Sequence, residues 1–142
     1  MKPSYQYLEH TADVLFIAKG NTPAEMFEQA GLAVEETMIN LKKVSPAKKV
    51  KIKKESNKID SLLFDFLDEL VFLKDYKQLV FSKFEVKIEE KKEKFKLEVL
   101  AYGEKIDNQK HEPKVDIKAI TMHMFKVEKS KDSWQAQVLV DI

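Results

Sequence analysis

The sequence predicts an α+β fold: a single two-layer domain over residues 1–142, with two helices packed on one face of a mixed or antiparallel sheet. Three observations predict it. Two apolar stripes at helical spacing fall in the first half of the chain, and alternating apolar and polar residues fill the second half. The order is strand, helix, strand, helix, then about four strands, and such segregation gathers helices on one side of a sheet. A chain of 142 residues is also the length of one ordinary domain, long enough to bury a core without disulfides or a structural metal.

Tyr5 to Ala18 is rich in β-branched and aromatic residues and ends at the turn signal Lys19-Gly20-Asn21, which predicts one or two strands. Thr22-Pro23-Ala24-Glu25 opens a helix: threonine caps it, proline suits the first helical position, and Glu25 completes a capping box. Met26, Phe27, Ala30, Ala33, Val34, Thr37, Met38 and Leu41 then form one stripe. Lys42 to Lys58 carries eight lysines; Val50 and Ile52 alternate with them as in a solvated edge strand, where lysines block edge-to-edge pairing. Asn57 is expected to cap the second helix, whose stripe runs Ile59, Leu62, Leu63, Phe66, Leu67, Leu70, Val71. Asp60, Asp65, Asp68 and Glu69 lie elsewhere on that wheel, as a solvated or partner-facing side. Strands are expected over Val80–Ile88, around Phe95–Ala101, over Val115–Val127 and over Trp134–Ile142, with a charged turn at Glu89–Glu93. The third of these has apolar residues on both faces and reads as a central strand.

Composition excludes several functions. All 25 basic residues are lysine and the net charge is +1. Arginine is the usual tool for bidentate phosphate and base recognition, so a sequence-specific nucleic-acid reader is disfavoured. No run approaches the roughly 18 apolar residues of a membrane span, and Met1-Lys2-Pro3-Ser4 begins no signal peptide. With no cysteine, thiolate zinc sites and disulfides are out, and a cytoplasmic location without membrane partners is expected. No phosphate-binding glycine loop, His-Glu-x-x-His or nucleophile elbow is present. No catalytic residues are assigned.

Three segments are too polar for plain strands. The first is His10-Thr11-Ala12-Asp13-Val14, beside Leu8, Leu15, Phe16 and Ile17. The second runs from Gly103-Glu104 through Asp107 and His111 to Val115–His123. Strict alternation puts Lys118 and His123 on opposite faces, and a bulge is needed to align them. The third is the end of the sequence, where the Asp141 side chain neighbours the α-carboxylate of Ile142. If Asp13 approached from an adjacent strand, three carboxylates would crowd together. A hard cation such as Ca²⁺ or Mg²⁺ would resolve that conflict. Two unrelated surface aspartates are the alternative.

Taken together, these segments resemble the archease family over nearly the whole chain. The resemblance rests on Tyr7-Leu8-Glu9-His10-Thr11-Ala12-Asp13-Val14, then Gly103-Glu104, Asp107, His111, Asp116-Ile117-Lys118-Ala119-Ile120-Thr121 and His123, and finally Trp134 and Asp141-Ile142. Leu15 stands where a glycine usually follows the first motif, and Met122 where an aromatic usually precedes the last histidine. Local backbone shape and stacking there are not carried over.

The resemblance implies an accessory protein, not an enzyme. It implies a partner, the tRNA-splicing RNA ligase that joins ends bearing a 3′-phosphate or 2′,3′-cyclic phosphate. It implies help with guanylylation of the ligase's active-site histidine and with multiple turnover, tRNA being met through the ligase. It implies a divalent metal, commonly calcium with magnesium or manganese as alternatives, held by Asp13, Asp141 and Ile142. His10 and Thr11 would orient those ligands or touch the partner. Lys118 would contact the ligase, its nucleotide or a phosphate, or else pair with Asp116 or Asp13. His123, Glu104 and His111 would serve the partner or the fold. Competing readings are a small metal-dependent phosphoesterase or nucleotidyl enzyme using Asp13, His10, His123 and Asp141; a modulator of a tRNA-modifying enzyme; and an RNA-binding module working through the 42–58 lysines.

Overall fold

The computed structural model describes residues 1–10 and 12–142. The strands are β1 (Ser4–Leu8), β2 (Asp13–Gly20), β3 (Lys48–Ser56), β4 (Leu79–Lys91), β5 (Lys94–Lys105), β6 (Ala119–Lys129) and β7 (Trp134–Asp141). The helices are α1 (Pro23–Met38), α2 (Ile59–Lys77) and the short α3 (Asn108–His111), with a 3-10 turn at Leu41–Lys43. The α+β fold is thus as expected. Its strands divide into two sheets, ordered β1-β2-β7-β6 and β3-β5-β4, and every pairing is antiparallel. Alternation in a sequence reports which face of a strand is buried, not which strand lies beside it, so the division was not legible. Among the described residues no helix is long and apolar enough to cross a membrane.

Thr22 caps α1, its hydroxyl accepting from the Glu25 N–H at 3.2 Å, and the Glu25 carboxylate accepts from the Asn21 N–H at 2.8 Å. The predicted stripe from Met26 to Met38 is buried, while Leu41 falls in the 3-10 turn. The cap of α2 is Lys58 without a side-chain bond, not Asn57, which lies one residue too early. Burial of the Leu62–Leu70 stripe fixes this helix instead. Both helices touch both sheets: α1 meets β2 and β4, and α2 meets β6 and β3. Phe66 links them to the second sheet, its ring 6.0 Å from that of Phe27 and 5.7 Å from that of Phe84. Phe64 packs edge-on against Phe125 of β6. The lysine-rich β3 is an edge strand, as its alternation predicts.

The expected central strand at 115–127 is corrected. β6 begins at Ala119 and lies at the edge of the first sheet, while β7 is central. Its pairing jumps from Thr121↔Leu139 to Lys126↔Gln137, so β6 carries a wide bulge on which Met122, His123 and Met124 are exposed. Those methionines, not a second buried face, produced the apolar signal.

Among the described residues three polar side chains are buried, Glu35, Thr37 and His111, and the first lies deepest among apolar neighbours. Glu35 on α1 is fully buried, and its Oε1 accepts from the Phe81 N–H at 2.9 Å. The partner N–H is available because the β4–β5 register slips between Phe81 and Lys83. Gly103 permits that slip: a Cβ there would meet the Val80 carbonyl oxygen at 1.8 Å. Among the described residues the second carboxyl oxygen of Glu35 has no partner. Burial pushes its pKa up to about 8, against the opposing pull of the Phe81 N–H and the charge of Lys74.

A folded-state pKa raised in this way contributes stability at low pH that fades as the unfolded chain ionises first, until pH passes about 8. Glu35→Gln keeps an acceptor for Phe81 and cannot ionise. In urea unfolding, the wild type is expected to lose on the order of 3 kcal/mol relative to Glu35→Gln between about pH 5 and pH 8. Parallel pH profiles would refute a protonated core carboxyl.

Candidate functional site

Strands β2 and β7 pair in register from Gly20↔Trp134 to Asp13↔Asp141. The two aspartates are therefore directly opposite, on one face of the sheet, where Cβ atoms lie about 4.5–5.5 Å apart. β6 extends the same row, with Ala119 opposite Asp141. Just before it, the Lys118 N–H donates to the Asp141 carbonyl at 2.8 Å. Asp13 is the first residue of β2, so the carboxylate sits at the rim rather than inside the strand, with its side chain 29% exposed. The row Val14–Val140–Ile120 behind it enters the core. The row Leu15–Leu139 is buried on the aspartates' own face. Ala12, at φ 69°, takes the left-handed conformation as the chain enters β2, a local strain beside the acidic row.

His10 Nδ1 lies 3.8 Å from Asp13 Oδ2, within ion-pair range but too long for a hydrogen bond. Thr11 lies outside the described residues. Lys118 is exposed and adjoins the row through its backbone. Asp116 pairs with Lys74 of α2 and so is not the partner of Lys118. Among the described residues, no lysine ammonium lies within ion-pair distance of Asp13 or Asp141. Two anions facing one another are mildly destabilising, and hard oxygen donors are what Ca²⁺ and Mg²⁺ select. The donor set fits a hard cation provided main-chain oxygens at Ile142 complete it. Among the described residues His10 approaches Asp13, and no group of three or more His, Cys, Asp or Glu side chains forms a shared metal site.

His123 lies on the β6 bulge, its N–H donating to Thr121 Oγ1 at 2.9 Å, and the Gln137 amide donates to the Met124 carbonyl at 2.9 Å. The β6 bulge thus follows Lys118 and takes in His123 between Thr121 and Lys126, with Gln137 tying it to β7.

Glu104 and His111 meet each other in the second sheet's margin. The buried His111 accepts the Asp107 N–H at Nδ1, 2.8 Å away, so its proton is on Nε2, which donates to Glu104 Oε2 at 2.7 Å. The same oxygen accepts from Lys110 Nζ at 2.7 Å and from the Ser45 N–H at 2.9 Å. Lys110, the Ser45 backbone and His111 together hold the Glu104 carboxyl down to about 2. Through these contacts the cluster ties α3 and the segment that follows the 3-10 turn to β5. Sequence reasoning missed Lys110 and Ser45, because no spacing joins position 45 to position 104.

The sequence profile described as the Archease protein family (MTH1598/TM1083) matches residues 5–142. Protein archease of Pyrococcus furiosus is 43% identical over 139 residues, covering 97% of this chain and 98% of that protein. Protein archease of Methanosarcina mazei is 41% identical over 139 residues, covering 97% and 95%. The solution structure of Methanobacterium thermoautotrophicum protein 1598 superposes with a TM-score of 0.87 at 37% identity, covering 97% of this chain and 98% of that one. A Thermotoga maritima crystal structure, described as an archease and possible chaperone, has a TM-score of 0.62 at 20% identity, over 95% and 94% of the two chains, and speaks for the fold alone.

Because Glu104 is held low when folded, its stabilisation is present above about pH 4.5 and is lost as pH falls toward 2. Glu104→Gln is expected to lower the melting temperature by about 3 °C near neutrality, with the gap closing on acidification. An unchanged melting temperature at pH 7 would count against the structural role.

Proposed function

The chain belongs to the archease family, and from that membership and the geometry of the acidic row we propose that it is a divalent-metal-binding accessory protein of the tRNA-splicing RNA ligase. It would promote ligase guanylylation and multiple turnover without catalysing ligation itself. One observation carries the reading: the β2–β7 register sets Asp13 against Asp141 at a sheet rim, with no lysine in reach of either among the described residues.

Asp13, Asp141 and main-chain oxygens of Ile142 would hold the cation, Ca²⁺ first, with Mg²⁺ or Mn²⁺ as alternatives. A cation bound there supplies charge neutralisation at the rim and open positions for oxygen ligands of a partner. The chain's own residues do the positioning. The Val14–Val140–Ile120 row anchors the strand ends in the core. Lys118, beside Asp141, presents an exposed ammonium suited to a phosphate or carboxylate of the partner. His10, near Asp13, is placed to orient that carboxylate. The rim would act by insertion near the ligase active site, and a tRNA-modifying enzyme as partner is the other member of this class of reading.

The test is a ligation assay at limiting ligase, with GTP and a divalent metal, with and without this protein, alongside melting curves with and without Ca²⁺. Wild-type protein is expected to convert single into multiple turnover, and Ca²⁺ is expected to raise its melting temperature. Asp13→Asn and Asp141→Asn should lose both effects while melting normally without metal. Full stimulation by both variants would reject the proposal, and retained Ca²⁺ stabilisation would move the ion elsewhere.

A further inference from the structure

The outward face of the second sheet carries a second feature, independent of the acidic rim. Lys49, Lys51, Lys53 and Glu55 of β3, Lys96, Glu98, Leu100 and Tyr102 of β5, and Lys83, Glu85, Lys87 and Glu89 of β4 alternate with buried neighbours and share this face. At one end the charges compensate across the strands. Lys53 and Lys87 flank Glu98, and Glu55 and Glu89 flank Lys96. At the other end they do not. Lys49 and Lys83 flank Tyr102, and Lys51 and Glu85 flank Leu100. Lys51 reaches across to Glu98 at 3.3 Å, Glu85 accepts the Tyr102 hydroxyl at 2.6 Å, and Glu104, two residues along β5, is engaged by Lys110 and His111. Lys83 Nζ lies 5.1 Å from the centre of the Tyr102 ring. Neither Lys49 nor Lys83 has a carboxylate partner among the described residues. The compensated end adds a shallow groove of about 420 Å³ lined by Lys53, Lys87, Lys96 and Glu98.

We propose that Tyr102, set between Lys49 and Lys83 on the outer face of the β3-β5-β4 sheet, is a binding platform for single-stranded nucleic acid. A flat ring on a sheet offers a stacking surface for an unpaired base, and the flanking ammonium groups offer charge to the adjoining phosphates. A duplex has no free base face to give such a ring. An acidic peptide would use the lysines but has no need of the ring. The ring hydroxyl is fixed by Glu85, and a base stacking on the face under Lys83 would displace that ammonium toward its own phosphate. With lysine as the only cation, recognition rests on stacking and charge and is tolerant of sequence.

Fluorescence anisotropy with labelled oligouridylate and oligothymidylate at low salt tests this, with polyglutamate and anionic phospholipid vesicles as competitors. Both oligonucleotides should bind, with affinity falling steeply with salt. Lys49→Gln/Lys83→Gln should weaken binding about tenfold and flatten the log–log salt slope by about 1.4. Tyr102→Leu should weaken it about tenfold, whereas Tyr102→Phe should bind like wild type. Lys131→Gln, in the β6–β7 turn of the other sheet, should change nothing. No binding at low salt would overturn the proposal. So would equal losses in Lys131→Gln, full binding by Tyr102→Leu, or polyglutamate or vesicles displacing the oligonucleotide through the same two lysines.

Discussion

The register of the β2–β7 ladder is the constraint on which the rest depends. Eight pairs run from Asp13↔Asp141 to Gly20↔Trp134. Phe16, Ala18, Ala136, Val138 and Val140 are buried along it. Because side chains alternate at every residue, a slip of one position would turn Phe16 and Ala18 outward against their partners and expose the core face. The same slip would set Asp13 opposite Val140 and disperse the acidic row. Hydrophobic burial in the middle of the ladder therefore fixes the positions of two carboxylates at its end. Nothing in the carboxylates themselves favours that arrangement.

The helices complete the constraint by meeting both sheets at once. Phe27, Phe66 and Phe84 form a continuous aromatic contact from α1 through α2 to β4. Phe64 carries α2 to Phe125 on the edge strand β6. Sheets that share no ladder are thus joined through side-chain packing alone. Into this apolar joint the fold admits Glu35, and only at the point where the β4 bulge frees a backbone N–H to meet it. The bulge needs Gly103, so a glycine on β5, a slipped register on β4 and a carboxyl on α1 form one unit.

What the sequence made legible was local. The N-cap and stripe of α1, the burial of α2, the alternation of β3 and the convergence expected of Asp13 and Asp141 all follow from spacing or from motif resemblance, and the β2–β7 pairing has the two aspartates adjacent. What it concealed depended on neighbours. Nothing in residues 115–127 says that β6 is an edge strand, since exposed methionines and buried aliphatics look alike in a pattern of apolar positions. Nothing near Glu104 announces Ser45, and the preference of Asp116 for Lys74 over Lys118 is set by where α2 passes. The left-handed Lys92 and Glu93 of the β4–β5 hairpin are another case. That turn usually carries asparagine and glycine, and the strand pairs on either side impose it here without them.

The contrast between the two carboxylate groups argues for their different uses. Glu104 accepts from three donors at one oxygen and is already paired with a lysine and a histidine. Asp13 and Asp141 face each other, with His10 at 3.8 Å from Asp13, a pairing worth about 0.2–1 kcal/mol against the fold. A rim position keeps that penalty small because water still reaches the oxygens. The hydrophobic ladder behind supplies more than enough to hold them there, so the two carboxylates are positioned by folding itself. A satisfied cluster stabilises the protein that contains it. An unsatisfied one, held in place by everything around it, leaves acidic oxygens at the rim for the cation proposed above.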